Sequence, residues 1–354
     1  MSPPKKILIF HTAFIGDIVL TLPLAQVVHA RMPGSSISFV ATPVASAALR
    51  NHPAIQEIIP YDKKGKDRGV AGMFRLAGLL RKRRFDLAIV PHRSLRSALI
   101  PWLAGIPRRI GFATSTAPVL FSDRVNYRGD RHEIGRDLDL LEPLGIVPPV
   151  GELPHLCPNE DDRKIVHALL DRRKADSASF DTSRLIALAP GSVWNTKRWP
   201  MESFRQLCRM LVESGLSVVL VGGEDDVALC ESIAGGVESN RPLNAAGALS
   251  LLQSAELIRR CKAAVSNDSA PMHLAVGVGT PVVAIFGATV PAFGFGPTGP
   301  RDRVLGIEGL TCRPCGIHGG DVCPIGSFVC MHGITPDEVY RAVRSILDGD
   351  GSRE

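Results

Sequence analysis

Aromatic side chains are scarce, at 5% of the 354 residues, while Gly and Pro are abundant at 34 and 27. That balance suits many short βα connections and argues against a β-sandwich. No apolar run is long enough to span a membrane, so a soluble, cytoplasmic protein is expected. Lys5 and Lys6 precede an apolar stretch that could pass for a secretory leader, but His11, Gly16 and Asp17 interrupt it. Also missing is G-x-G-x-x-G after the first predicted strand: the first βα turn has the single Gly16, which disfavours a dinucleotide-dependent hydride transfer. No pattern of a nucleic-acid-binding module and no solenoid repeat is present.

What is present is a chain that is 45% hydrophobic and longer than a single core usually grows. Two domains are therefore expected. Short β-branched runs alternate with amphipathic segments: "KILIF", a helix to Arg31, "SISFVAT", "FDLAIVP" and a helix around "SLRSALIPWLAG". The Pro-rich passage "GIVPPVGELPHLCP" (145–158) breaks the rhythm, and a charged helix runs from Asn159 to about Lys174. Alternation then restarts with "RLIALAP", a helix after Pro200, "LSVVLVGG", "PLNAAG", a helix over "LSLLQSAELIRRC", "AAVSND", a helix from Ser269, "PVVAIFG" and the closing "TPDEVYRAVRSILDG". The expected class is α/β, with two Rossmann-like doubly wound parallel sheets in domains 1–158 and 159–354, each with ligands at its strand carboxyl ends. The net charge is +6, with Arg-dense stretches at 81–85 and 107–112. Such a balance fits an anionic substrate or an anionic membrane surface.

Three stretches carry chemistry. In "FHTAFIGDIVLTLP" (10–23), Asp17 falls in the first βα turn. There it either complements a helix N-terminus or stands at the crevice as a general base. In "APGSVWNTKRWPMESF" (189–204), a strand ends in a Gly-Ser loop with Lys197 and Arg198 beside it and Pro200 at a helix start. Backbone donors, hydroxyls and a cation there outline an anion site, although Trp199 could simply pin a surface loop. In "AVSNDSAPMHLAVGVGTPVVAIFG" (264–287), Asp268 or Ser269 can cap a helix whose amides face the crevice, with His273 one turn in.

The eight cysteines sort into two groups. Cys157, Cys208, Cys230 and Cys261 are scattered, the last three within predicted helices, as small core residues. Cys312, Cys315, Cys323 and Cys330 cluster in a Gly-rich stretch near His318 and His332. Such a cluster suits zinc, an iron–sulfur centre or a set of reduced thiols. Its spacing is not that of a standard zinc ribbon.

Taken together, "FIGDIVLTLP", "PGSVWNTKRWP", "GGEDD", "NDSAPMHLAVGVGTPVVAIFG" and "CPIGSFVCMHGITPDEV" resemble the ADP-heptose:lipopolysaccharide heptosyltransferases, family 9 of the glycosyltransferases. "FDLAIVPHRSLRSALIPWLAGIPRRIGF" (85–112) is similar to the heptosyltransferase II branch, and the motifs run in order along nearly the whole chain. The resemblance implies a GT-B fold: two Rossmann-like domains face a central cleft, the first holding the acceptor and the second the nucleotide-sugar. It further implies an inverting transfer of L-glycero-D-manno-heptose from ADP-heptose to the first heptose of the lipid-linked inner core. By position it makes Asp17 the base, Lys197 the conserved-motif cation, and Ser192, Thr196, Glu224, Asp268, Ser269 and His273 donor-site residues. His92, Arg93 and Arg96, at the end of "DLAIVP", suit an acceptor rich in carboxylates and phosphates. Each could equally be part of a solvated helix start.

Asp137 and Asp139 spell the Asp-x-Asp string of metal-dependent transferases, but residues two apart on a helix diverge. No metal or other cofactor is expected, because cations and backbone donors already suit the diphosphate. Peripheral inner-membrane contact is compatible with a lipid-linked acceptor, and nucleic acid is not expected as a partner. Rival readings are a relative using another sugar or acceptor, and a non-catalytic nucleotide-sugar binder. Asp17 counts against the second, since a binder needs no base.

Overall fold

Unbroken apolar runs such as "KILIF" have no exposed face to alternate with, a pattern of strands covered on both sides in parallel sheets. In the computed structural model, which describes residues 4–237 and 240–349, this run is β1 (Lys6–Phe10), buried at all but its first residue. The chain divides into two units, Met1–Cys157 and Pro158–Glu354.

In the first unit β1 is followed by α1 (Ile15–Arg31), β2 (Ser36–Ala41), β3 (Glu57–Pro60), α2 (Gly69–Arg83), β4 (Leu87–Val90), α3 (Leu95–Leu103), β5 (Arg108–Phe112), β6 (Asp123–Val125) and α4 (Glu133–Asp139). The six strands are parallel in the order β3-β2-β1-β4-β5-β6. Ile9 is in register with Phe39 on one side and Ile89 on the other. Leu8, Phe10, Ala88 and Val90 pack on Leu76 and Leu80 of α2 and Ile100 of α3, while α1 and α4 pack on each other.

The second unit repeats the plan. It comprises α5 (Glu160–Asp176), β7 (Leu185–Ala189), α6 (Met201–Glu213), β8 (Ser217–Leu220), α7 (Val227–Ala234), β9 (Leu243–Asn244), α8 (Leu251–Arg259), β10 (Ala263–Asn267), α9 (Ala270–Gly277), β11 (Val282–Ile285), β12 (Arg303–Leu305), α10 (Val329–His332) and α11 (Pro336–Asp348). Its parallel order is β12-β11-β10-β7-β8-β9. Strand residues such as Leu188, Val218, Val265 and Ile285 meet Phe204, Leu211, Ile233, Val343 and Ile346 of the covering helices. Numbered within its own unit, each sheet runs 3-2-1-4-5-6. The order reverses between the first and fourth strands, at β1/β4 and at β7/β10, and the crevice at that reversal is where such folds bind ligands.

Local signals explain the helix limits. Asn159 caps α5 by accepting from Asp162 N–H at 2.9 Å while the Asp162 carboxylate accepts from Asn159 N–H at 3.0 Å, a reciprocal capping box. Thr335 and Glu338 do the same for α11. Elements that the sequence pattern does not announce are β3, α2, β5, β6, α7, β12 and α10. The α2 segment has glycines at 69, 72 and 78 and a cationic end, which obscure its apolar periodicity. Gly72 is needed there, because a Cβ would lie 2.0 Å from the Asp67 carbonyl oxygen. One expectation is corrected: Cys261 lies beyond α8, which stops at Arg259. Burial pushes the Cys208 and Cys230 thiols up to about 12 and Cys261 higher still, as inert core residues behave. No described helix is long and apolar enough to cross a membrane.

Candidate active site

In the first unit, β1 leads through His11–Phe14 directly into α1. The carboxylate of Asp17 accepts a hydrogen bond from Phe14 N–H at 3.0 Å, so it closes the helix N-terminus as helix-end electrostatics favour. One turn on, the Thr21 hydroxyl lies 2.9 Å from the Asp17 carbonyl oxygen, 2.6 Å from Asp137 Oδ2 and 2.8 Å from His11 Nδ1. A hydroxyl has one hydrogen to give. It cannot donate both to the carbonyl and to a carboxylate, so one neighbour must donate to it.

Asp137 is fully buried, and burial above all, then the nearby Glu133 charge, holds its pKa well above the usual carboxylate range. Its Oδ1 has no hydrogen-bond partner among the described residues, tolerable for a neutral acid and costly for an anion. The Thr21 hydroxyl is placed to donate to Asp137 Oδ2 or to the Asp17 carbonyl, and the raised pKa favours a proton on Asp137 that lets it donate in turn. His11 Nδ1–H fills the remaining lone pair. His11 itself is kept neutral by burial and by His92 and Lys63.

Across from β1, the end of β4 carries His92, whose Nδ1 is 2.8 Å from Ser97 Oγ and whose ring centroid is 5.6 Å from that of His11. Burial, Lys63 and Arg93 lower its pKa to about 4. Lys63 donates to the Thr12 carbonyl, and burial above all, then the Arg96 and Lys64 charges, lower its pKa while the Asp17 charge opposes them. The sequence pattern singled out neither Lys63 nor the His11–Thr21–Asp137 chain. A cavity of about 640 Å³ opens here, with Lys63, His92 and Arg96 on its polar side and Val70 and Leu95 on its apolar side. Arg93 lies over the Tyr127 ring at 4.0 Å, a cation–π contact. The structure thus brings His92 and Arg96 to one strand-end cavity with Lys63, and the Asp17 charge acts on that lysine.

In the second unit, Asn267 at the end of β10 is fully buried. Its Nδ2–H₂ donates to the Pro190 carbonyl at 2.8 Å and its Oδ1 accepts from Trp199 N–H at 3.1 Å. One side chain thereby ties both ends of the loop that follows β7. Trp199 is buried too, packing edge-to-face on Phe204 and donating from Nε1 to the Ile334 carbonyl at 2.9 Å. The loop so held delivers Lys197 Nζ to 2.7 Å from Asp268 Oδ2, with both side chains largely buried. Thr289 Oγ donates to the same oxygen at 2.6 Å.

The remaining sequence-derived positions lie around this pair. Thr196 is buried, with its hydroxyl accepting from Gly320 N–H at 2.8 Å and its own N–H donating to the Gly320 carbonyl. It therefore braces the 312–330 segment against the loop. Ser192 accepts from Arg198 Nε through its carbonyl. Ser269 is the N-cap residue of α9, whose first turn contains Pro271, and it makes no side-chain cap bond. His273 is buried in that helix. Glu224 is exposed in the turn after β8. Nearby Asp226 approaches so closely that a Cβ on Gly191 would meet its carboxylate at 2.1 Å, which explains the glycine in "APGS".

The Asp-x-Asp string does not form a chelate: Asp137 faces Thr21, while Asp139 pairs with Arg128 and Arg131. Among the described residues no three His, Cys, Asp or Glu side chains are grouped so as to hold a metal ion. All eight cysteines are free thiols. The Cys323 pKa is lowered mainly by the Phe328 backbone N–H, with those of Ile325, Gly326 and Ser327 adding to it.

The model of glycosyltransferase family 9 (heptosyltransferase) matches residues 73–318. The chain is 28% identical to lipopolysaccharide heptosyltransferase 2 of Salmonella typhimurium, over 98% of its own length and 99% of the relative's. It is 30% identical to lipooligosaccharide heptosyltransferase 2 of Haemophilus ducreyi, over 97% and 99%. Among solved structures it is similar to the E. coli ADP-heptose LPS heptosyltransferase II, with a TM-score of 0.78 and 25% identity over 98% of this chain and 100% of that one. A family 9 glycosyltransferase from Veillonella parvula has a TM-score of 0.86 at 24% identity, each chain covered to 98%.

Two substitutions test this geometry. Asn at 137 keeps a donor for Thr21 but cannot titrate. A carboxyl whose pKa rises on folding stabilises the fold below its unfolded value and loses that contribution as pH climbs toward its folded value. Urea unfolding should therefore show wild type losing stability relative to Asp137→Asn as pH rises from about 4; a pH-independent difference contradicts a protonated Asp137. Asn267→Ala leaves the Pro190 carbonyl and the Trp199 amide unpaired and should cost about 2–4 kcal/mol in the same assay. A loss within about 0.5 kcal/mol would mean that this clamp does not hold the loop.

Proposed function

The chain belongs to glycosyltransferase family 9, the heptosyltransferases, and from that premise we propose that it transfers L-glycero-D-manno-heptose from ADP-heptose to the first heptose of the lipopolysaccharide inner core, with inversion. The observation that carries this reading is the position of the two ionic groups in their sheets. Asp17 follows the first strand of one doubly wound sheet, and Lys197 with Asp268 follows the first and fourth strands of the other. Full-length similarity to enzymes named lipopolysaccharide and lipooligosaccharide heptosyltransferase 2 supports it. The acceptor belongs with the first unit and the donor with the second.

In this mechanism the acceptor hydroxyl oxygen attacks the anomeric carbon and its proton passes to the Asp17 carboxylate. The bond from that carbon to the β-phosphate oxygen breaks on the opposite face, and its electron pair leaves with ADP. General-base help of this kind is worth about 10²–10⁴ in rate. The charge growing on the diphosphate is met by Lys197 and the α9 N-terminus beside Ser269. Asp268 takes one of the three ammonium hydrogens and aims the others, while Thr289 fixes Asp268. Glu224 accepts from donor ribose hydroxyls. Ser192 and Thr196 shape the loop over the diphosphate, and His273 supports the helix that faces it. His92, Arg93 and Arg96 bind the acidic acceptor, Arg by bidentate pairing. No step needs a metal. Work at the cytoplasmic face of the inner membrane follows from a lipid-linked acceptor.

Asp17→Asn should lower kcat by about 10²–10⁴ while ADP-heptose still binds in calorimetry; near-normal turnover would remove Asp17 from the base role. Glu at position 93 or 96 should raise the acceptor KM about tenfold or more and leave the donor KM unchanged. Parallel loss of both affinities would place those arginines in folding instead.

A further inference from the structure

Residues 63–116 contain thirteen Lys and Arg but only Asp67 and Asp86, a surplus of eleven positive charges in a chain whose total is +6. The rest of the chain is therefore net acidic, and the positive charge is concentrated on α2, α3, β4, β5 and the turns around them. Acids from outside the stretch offset part of it, Glu57 pairing with Arg83 and Asp123 with Arg108. Asp67 is largely buried and paired with Arg75, and Asp86 accepts from the Lys5 and Lys6 amides.

Among these cations stand exposed apolar side chains. Val70 is 63% and Phe74 56% exposed on successive turns of α2, and Leu95 51% and Trp102 47% on α3. Leu95 and Trp102 are seven apart and so share a helix face. Val70 and Leu95 both line the cavity of about 640 Å³, together with Thr12 and His92 at the strand ends. An apolar ridge framed by Lys64, Lys66, Arg68 and Arg81 would be wasteful toward water, and cations alone would serve a polyanion without it. Apolar area combined with unpaired positive charge is the recognition chemistry of an anionic bilayer surface, with Trp at the headgroup level.

We propose that the exposed α2–α3 face of the first unit docks on anionic lipid headgroups, with Phe74 and Trp102 entering the interface and Lys66 and Arg68 pairing with phosphates. Docked in this way, the cavity beside Val70 and Leu95 opens at the bilayer surface, so a lipid-anchored sugar enters it without leaving the membrane. This deepens the proposed function, because it rests on an acceptor that is lipid-linked, yet its first test requires no turnover.

The full chain is sedimented with vesicles of 30% phosphatidylglycerol in phosphatidylethanolamine and with vesicles of phosphatidylcholine alone. Binding should favour the anionic vesicles and weaken from low salt to about 0.5 M. It should fall roughly tenfold or more in Phe74→Glu/Trp102→Glu and in Lys66→Glu/Arg68→Glu, and Phe74→Leu should retain it. Thermal unfolding checks that each variant folds. With a deacylated core acceptor both double variants should turn over as wild type does, and with the lipid-linked acceptor in vesicles they should slow. Equal binding to neutral vesicles, or unchanged binding in Phe74→Glu/Trp102→Glu, overturns the proposal. So does duplex nucleic acid that binds as tightly as the anionic vesicles and is indifferent to Phe74 and Trp102. Loss of all turnover with intact vesicle binding would count against heptose transfer and leave the docking surface standing.

Discussion

A parallel sheet wound in both directions from its middle cannot cover the carboxyl edge where the winding reverses. The connection after the first strand departs to one side and that after the fourth to the other, leaving a gap lined by two loops and the starts of two helices. Both units of this chain have that gap, between β1 and β4 and between β7 and β10. Apart from Glu224, which follows β8, every ionic group assigned to the reaction is attached to one of those four strand ends or to the loop or helix that follows. The chemistry is located by a topological necessity before any side chain is chosen.

Side chains then decide how rigid each gap is. In the second unit the neutral Asn267 ties the loop after β7 to the strand from which Asp268 emerges, and the Lys197–Asp268 pair is assembled on that brace. In the first unit the brace is a buried acid on α4. Asp137 reaches the first turn of α1 through Thr21, and it can sit there because burial keeps its proton on. The two units brace their turns with different chemistry: a carboxamide beside the Lys197–Asp268 pair, and a buried acid of raised pKa behind the turn that carries Asp17.

The surface follows the same division of labour. Positive charge is concentrated in the first unit's helices, where an acidic, lipid-linked substrate would approach, whereas the second unit's Lys197 is kept largely buried and paired. Long-range attraction and local stabilisation thus fall to different cations, and only the first kind is strongly screened by salt.

Much of this was legible in the residues. Apolar runs without alternation demanded buried parallel strands, the Pro-rich 145–158 passage marked a break, and Asn159, Pro200 and Thr335 announced helix starts. The motifs around Asp17, Lys197 and Asp268 named the family and the strand ends to examine, because short-range patterns encode turns and caps. The sequence was silent about contacts made by residues far apart in the chain. Nothing local to Thr21 or Asp137, separated by 116 positions, signals that they share a proton, and nothing local to Asn267 reveals its grip on residues 190 and 199. Lys63 drew no attention in the sequence, and only the fold set it beside His92 and Arg96. Composition and spacing determined the class, the strand ends and the kind of chemistry. Only tertiary packing decided which groups are buried, and burial sets which carboxyl keeps its proton and which lysine finds its partner.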